Sequence, residues 1–556
     1  MKTFFLFPPS FILIVGIIFI GCSSTSELIP PIENTEEPER IEKEISVEIL
    51  APTEDWHLQS PNNDPYYGTG VSQAYNELLI NKTPKKEIIV AIIDSGTDIH
   101  HEDLSDNIWI NDDEIPNNGI DDDGNGYIDD MHGWNFIGGP DSTHVTDDTY
   151  EVTRLYAKLH IKYENADSSN LETNQLEEYN YYLQIKSNFL SERREINQIL
   201  QNVNGFEQAI MVARQVFNVS SLDSLSSVDI EPDSLDSEQV TQFKGLVDYM
   251  RSNNITENEI FEAKDQFQSL SNFGMNPDFD PRHIVGDVYT DLTDRIYGNN
   301  DVSGPTSDHG THVAGIVGAV RNNGLGMDGI AKVKLMILRT VPNGDERDKD
   351  VANAIRYAAE NGAHVINMSF GKGYSPEKWY VDTAIKFADS LGVLMVHGAG
   401  NDGENNDSTA NFPNNSFEDG SVAVHYLEVG ASSWKGGDEI PADFSNYGKT
   451  EVDIFAPGVQ IYSTMPENEY KAQDGTSMAS PVVSGIAALI MSYYPDLSTV
   501  QIKNILLETA TKTSNLKVLK PGSSEQIPNI LFSDLSVSGG IINAYEALKR
   551  AEEISN

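Results

Sequence analysis

Short apolar runs recur along the chain, each closed by turn-forming residues. The first, Glu87–Ile93, leads straight into Asp94-Ser95-Gly96, and others cover Val333–Leu338, Ala363–Met368 and Val393–Val396. Runs of this length fit strands buried on both faces of a parallel sheet. Between them, Val351–Asn361 and Val381–Ser390 carry a helical pattern of apolar positions, each closed by or near a glycine. Strand and helix in alternation predict an α/β fold: a three-layer, open, mostly parallel sheet with helices on both faces. Functional residues are then expected at the carboxyl ends of the strands.

Residues 145–285 break that rhythm. Tyr182, Ile185, Phe189, Ile196, Ile199 and Val203 are spaced as one face of an amphipathic helix. Further helical stretches are expected at Phe206–Phe217, Glu238–Met250 and Glu257–Leu270, with a Ser/Asp-rich link at Ser220–Asp236. Thr256 and Glu259 have the spacing of a capping box. The segment reads as a helical subdomain inserted into the sheet domain, which would comprise residues 51–144 and 286–556.

At the amino end, Lys2, the apolar run Phe11–Ile20 and Gly21-Cys22-Ser23-Ser24 have the plan of a signal peptide over residues 1–21. Pro8 and Pro9 interrupt the segment, which argues against a spanning helix. With cysteine directly after the cut it resembles the bacterial lipoprotein signal, although Phe19 stands where such signals usually carry leucine. That resemblance implies lipidation of Cys22, export, and a lipid anchor holding the protein to a bacterial membrane with its domain outside the cytoplasm. Residues 22–50, rich in Glu, Pro, Ser and Thr, read as an acidic tether.

Composition narrows the chemistry. Cys22 is the one cysteine, which excludes an internal disulfide and a Cys-based zinc site. Against 37 Lys and Arg stand 86 Asp and Glu, a net charge of −49 that disfavours a nucleic-acid partner. Nothing in the sequence fixes an oligomeric state.

Three segments carry the functional reading: Val90-Ala91-Ile92-Ile93-Asp94-Ser95-Gly96, Asp308-His309-Gly310-Thr311-His312 and Asp474-Gly475-Thr476-Ser477-Met478-Ala479. Singly, each has an ordinary explanation: an Asp that turns the chain, a packed His, a Ser that caps a helix. Together, in the order Asp, His, Ser, they resemble the subtilisin-like serine proteases over most of residues 50–140 and 280–550. The resemblance implies a serine endopeptidase acting on protein or peptide substrates through an acyl-enzyme. Ser477 would be the nucleophile, His309 the general base and Asp94 the residue that orients it. His312 would be structural, and His100 and His101 would pack or face solvent. A non-enzymatic binding protein on the same fold, or an esterase or peptide ligase on the same machinery, are the competing readings.

Leu394–Asn401 is an apolar strand running through Gly398-Ala399-Gly400 into Asn401, and it resembles the family segment whose Asn completes the oxyanion hole. His397 departs from the small residue expected there. Ser369-Phe370-Gly371 resembles the strand that pairs with an extended substrate, and with Ala399 and Gly400 it would wall the specificity pocket. Val452–Gly458 reads as a structural strand and turn.

Asp121, Asp123 and Asn125, with Gly126 and a carbonyl at Tyr127, follow the start of an EF-hand loop, but His132 stands where the closing Glu would be. Structural calcium is expected, with Asp129 and Asp130 completing the set. Residues 23–86 are short and tether-like, so a separate inhibitory propeptide is not expected.

Overall fold

The computed structural model describes residues 51–61, 66–223, 237–252, 255–513, 515–524 and 527–556. The expected signal peptide, Cys22 and the tether lie outside the described residues, as does most of the Ser/Asp-rich link.

Nine strands form the main sheet: β1 (Ile89–Asp94), β2 (Gly133–Asn135), β3 (Lys334–Arg339), β4 (Val365–Met368), β5 (Leu394–Gly398), β6 (Tyr426–Ser432), β7 (Ile454–Pro457), β10 (Thr511–Lys512) and β13 (Gly540–Ile541). Their order is β10-β13-β7-β6-β5-β4-β1-β3-β2. All pairings are parallel except β10 with β13. Two hairpin pairs stand apart, β8 (Ile461–Met465) with β9 (Glu469–Gln473) and β11 (Lys517–Val518) with β12 (Ile530–Leu531).

Side chains of β1 alternate between two cores, as period-2 geometry requires. Val90 and Ile92 join the core that holds Val313, Val317, Val483 and Ile486, whereas Ala91 and Ile93 join the core of Val351, Ile355, Val381 and Ile385. Those partners belong to helices at Asp308–Gly318 and Thr476–Tyr493 for the first core, and at Asp348–Glu360 and Lys378–Ser390 for the second. The sheet is therefore covered on both sides, which is why its strands read as nearly continuous apolar runs.

In the stretch expected as inserted, the helices are α1 (Glu151–Tyr163), α2 (Thr173–Phe217), α3 (Ser237–Ser252) and α4 (Glu257–Ser269). The later helices are α5 (Asp308–Gly318), α6 (Asp348–Glu360), α7 (Lys378–Ser390), α8 (Thr476–Tyr493), α9 (Thr499–Thr509) and α10 (Ala544–Ser555). Two helices were expected over 182–217, but α2 is a single helix of 45 residues. The buried Ile199, Val203, Phe206, Ile210 and Ala213 continue one stripe straight through Gly205. One glycine costs a helix about 1 kcal/mol relative to alanine, too little to break a stripe that stays buried. The capping box forms as spaced: Thr256 N donates to Glu259 at 2.7 Å and Glu259 N to Thr256 Oγ1 at 3.3 Å.

Among the described residues two compact units separate, residues 51–53 with 201–260 and the remainder, which holds the sheet. Within the smaller unit, buried Glu257 pairs with Arg214 at 3.0 Å and accepts the N–H of Leu222 at 2.8 Å.

Candidate active site

β1 ends at Asp94, which is 2% exposed, and α5 begins at Asp308-His309. Glycines let these segments meet. A Cβ on Gly310 would fall 2.1 Å from the Gly96 carbonyl oxygen, and one on Gly96, at φ +108°, would fall 2.2 Å from that of Ser303. This close approach brings His309 Nδ1 to 2.8 Å from Asp94 Oδ1, which also accepts the N–H of Ser95 at 2.7 Å. Burial pulls the His309 imidazole down. The charge and hydrogen bond of Asp94, with Asp308 beside it, outweigh that and leave it above the ordinary histidine value.

Ser477 is the second residue of α8, entered through Gly475 at φ +153°. Its hydroxyl donates to the carbonyl of Ser369 at 3.1 Å and not to His309. Asn401 follows β5, and its Oδ1 accepts both the N–H and the hydroxyl of Thr476, at 2.8 and 3.0 Å. With that oxygen engaged, the amide nitrogen keeps both its protons for another acceptor. No role for Thr476 was expected from the sequence, although its place beside Ser477 was the available signal.

Asp94, His309, Asn401 and Ser477 line one cavity of about 700 Å³. Ser369, Phe370, Gly371 and Gly400 line it too. Ala399 does not: it is fully buried among Ile440, Phe455 and Phe532, its N–H donates to the Val429 carbonyl, and its own carbonyl accepts from Asn406, Asn411 and Asn446. Its neighbour Gly398 lines the cavity instead. Beyond Gly371, a Cβ would fall 2.5 Å from Asn411 Oδ1, so glycine there makes room for the amide. Tyr150, Glu262 and Gln266, from the stretch expected as inserted, line the same cavity.

His312, His101 and His100 make their contacts elsewhere. His312 is buried, held near pKa 3 by that burial, and bonded at 3.0 Å to the carbonyl of Lys471. His101 is buried edge-on to Tyr470, and His100 is exposed.

In the acidic loop, Asp121 accepts the N–H groups of Gly124, Asn125 and Gly126 at 2.8–3.1 Å. Carboxylate oxygens of Glu114, Asp123 and Asp130 lie within 4.8 Å of one another. The Asn111 amide bridges Asp123 and Asp130, at 3.0 and 2.8 Å, and that of Asn125 reaches Asp130 at 2.9 Å. Asp129 turns away to the N–H groups of Asn118 and Gly119. The Tyr127 side chain is buried, with its hydroxyl on the Arg295 carbonyl. Glu114, seven residues before the loop, was not legible as a member. Hard oxygen donors in this number suit calcium or magnesium and not zinc.

The subtilase family model matches residues 85–524. A thermophilic serine proteinase of Bacillus sp. (strain AK1) is 38% identical over 241 residues, covering 43% of this chain and 54% of that protein. The cell wall-associated protease of Bacillus subtilis (strain 168) is 37% identical over 233 residues, 42% of this chain and 24% of that protein. Subtilisin DY of Bacillus licheniformis is 39% identical over 208 residues, 36% of this chain and 70% of that protein. The chain thus spans 54% of the first relative's length and 24% of the second's.

Proposed function

The chain belongs to the subtilase family, and from that premise we propose that it is an exported serine endopeptidase cleaving protein or peptide substrates. The observation that carries this is the 2.8 Å bond from His309 to a buried Asp94, in one cavity with Ser477 and an Asn401 whose oxygen is already satisfied.

The carbonyl of Ser369 is the acceptor an added substrate strand would use. Ser477 occupies it now. A peptide N–H arriving there displaces the hydroxyl, which turns to His309 Nε2. His309 takes the proton as Ser477 attacks the scissile carbonyl, and Asp94 steadies the imidazolium. The oxyanion is met by Asn401 Nδ2 and the backbone N–H of Ser477 at the start of α8. His309 then protonates the leaving amine, and water repeats the cycle to free the enzyme.

Calcium held by Glu114, Asp123 and Asp130, with Asp121 and Asn125 shaping the loop, would neutralise these carboxylates and pin the segment leading into β2. Cys22 lipidation and a membrane anchor complete the reading, with residues 145–285 as an insertion whose Tyr150, Glu262 and Gln266 line the cleft.

The test is labelling with a fluorophosphonate, with Ser477→Ala and heat-unfolded protein as controls. Labelling of folded wild type that disappears in Ser477→Ala supports the reading; folded, calcium-supplied protein that stays unlabelled sinks it.

A further inference from the structure

His397 on β5 stands in register with Glu428 on β6. Both side chains turn to the same face of the sheet, because Val396, Leu427 and Val429 fill the core on the other. His397 is completely buried and Glu428 is 5% exposed. Nδ1 of His397 is 3.0 Å from both carboxyl oxygens of Glu428, and Nε2 is 2.6 Å from the carbonyl oxygen of Phe370. A backbone carbonyl has no proton to give, so Nε2 carries one. A second proton then lies between Nδ1 and the carboxyl, and whichever holds it, the pair is neutral as a whole.

Phe370 is the middle residue of the segment that receives substrate in the peptidase reading, on which this inference rests. Successive carbonyls of an extended chain point to opposite sides. That of Ser369 faces Ser477 and the cleft, whereas that of Phe370 faces inward to His397. We infer that His397 is a positioning residue for substrate: its Nε2–H fixes the inward carbonyl of Phe370, Glu428 supplies the shared proton that keeps Nε2 a donor, and the Ser369 carbonyl is thereby held towards the cleft.

The surroundings favour keeping that proton. Burial pushes the Glu428 carboxyl up, His397 pulls it back, and Asp453 and Glu451 push again, leaving it at about 7. Asp453 accepts the Glu428 N–H at 3.0 Å, with Lys503 3.5 Å from it as the nearby cation. Tyr426, buried beside the pair, gives its hydroxyl to the Pro413 carbonyl. Loss of the shared proton would draw the remaining imidazole proton to Nδ1, leave a bare Nε2 against the Phe370 oxygen, and release the strand. Below that transition the strand is held; above it, it is loosened.

The test uses the full chain with His397→Ala, His397→Gln and Glu428→Gln. Fluorophosphonate labelling needs Ser477, its base and the oxyanion donors, but not the paired strand. Cleavage of an extended peptide needs all of them. His397→Ala should lower kcat/KM on an extended peptide roughly a hundredfold, the effect of a misplacement on the order of 1 Å, with labelling nearly unchanged. His397→Gln, whose amide can still donate to Phe370, should recover most of it. Glu428→Gln should stay active and lose the alkaline decline in peptide cleavage. Equal cleavage by His397→Ala and wild type overturns the inference, as does a folded His397→Gln that loses as much as His397→Ala. If His397→Ala does not fold, His397→Gln still decides. Ring nitrogen shifts of His397, assigned with His397→Gln, give a readout independent of activity: Nε2 protonated well below the Glu428 transition is expected, and Nε2 bare there overturns it. A wild type that neither labels nor cleaves overturns the peptidase reading alone, while the ring shifts still judge the hydrogen-bonded pair.

Discussion

Nζ of Lys372 lies 3.0 Å from Oε2 of Glu151 and 2.8 Å from Oδ1 of Asp348, and all three side chains are shut away from solvent. Lys372 directly follows Gly371, and Glu151 is the first residue of α1. The backbone of Lys372 exchanges both hydrogen bonds with Phe412, at 3.0 and 2.9 Å. A buried ion pair thus joins the helix expected as inserted to the end of the strand expected to receive substrate. Removing one partner of such a pair leaves an uncompensated buried charge and costs about 3–5 kcal/mol. Lys372→Met is expected to lower the thermal midpoint accordingly and to weaken cleavage of extended peptides. An unchanged midpoint would mean the pair contributes nothing.

The same cluster gives the protein an acid limit. Burial raises the Glu151 carboxyl, but Arg154 and Lys372 outweigh it and hold it at about 2, below its ordinary 4.5. Between those values the unfolded chain binds a proton that the folded chain does not. Stability from this group is therefore full above about pH 4.5 and is lost as the pH falls towards 2. Glu151→Gln should flatten the thermal midpoint against pH across that window.

On the peptidase reading, the His309–Asp94 pair predicts a pH profile. His309 must be unprotonated to accept the serine proton, and Asp94 helps hold its pKa above the ordinary value. The rise of kcat/KM with pH should therefore lie above the ordinary histidine range. Asp94→Asn should move that rise to lower pH while reducing kcat by about 10⁴, because the imidazole loses its fixed tautomer. A rise that stays in place in Asp94→Asn would separate the limb from His309.

The sequence made the sheet legible because both faces of β1, β3, β4 and β5 are covered, so each strand is a plain apolar run. The segments of Asp94, His309 and Ser477 were legible because each is a contiguous motif. What escaped depends on contacts remote in sequence. β2 is three residues long and β9 is mostly exposed or half-buried, so neither has a hydrophobic signature. Glu151 and Lys372 are 221 residues apart, and their pairing leaves no local trace. Ala399 was expected on the pocket wall, but its side chain faces the core of Phe455 and Phe532, and the local pattern does not say which way it turns. His397 was visible as an oddity, and its explanation needed Glu428 on the next strand.

Asn401 should behave as a donor that acts late. Its oxygen is fixed by Thr476 at 2.8 Å, so its nitrogen is placed before substrate arrives. Losing such a donor, on the scale established for another subtilisin and not for this chain, costs about 10²–10³ in kcat. Asn401→Ala should show that loss with KM little changed. A variant whose KM rises while kcat holds would assign Asn401 to substrate binding instead.

Calcium should stabilise more than it activates. Glu114 and Asp130 are buried and Asp123 is exposed, and their oxygens converge within 4.8 Å. Three carboxylates this close repel one another unless a cation or protons intervene. Calcium at a hundred times its dissociation constant would add about 2.7 kcal/mol of stability. Chelation should therefore lower the thermal midpoint, calcium should restore it, and magnesium should do so less well because it demands stricter octahedral geometry. Glu114→Gln and Asp130→Asn should each remove the calcium response, whereas Asp129→Asn, whose carboxylate serves Asn118 and Gly119, should keep it. Ser477 labelling at a temperature where the calcium-free protein stays folded should be the same with and without the ion. A midpoint indifferent to calcium would leave the loop as hydrogen-bonded structure, stitched by the Asn111 and Asn125 amides and by the backbone N–H groups on Asp121 and Glu114.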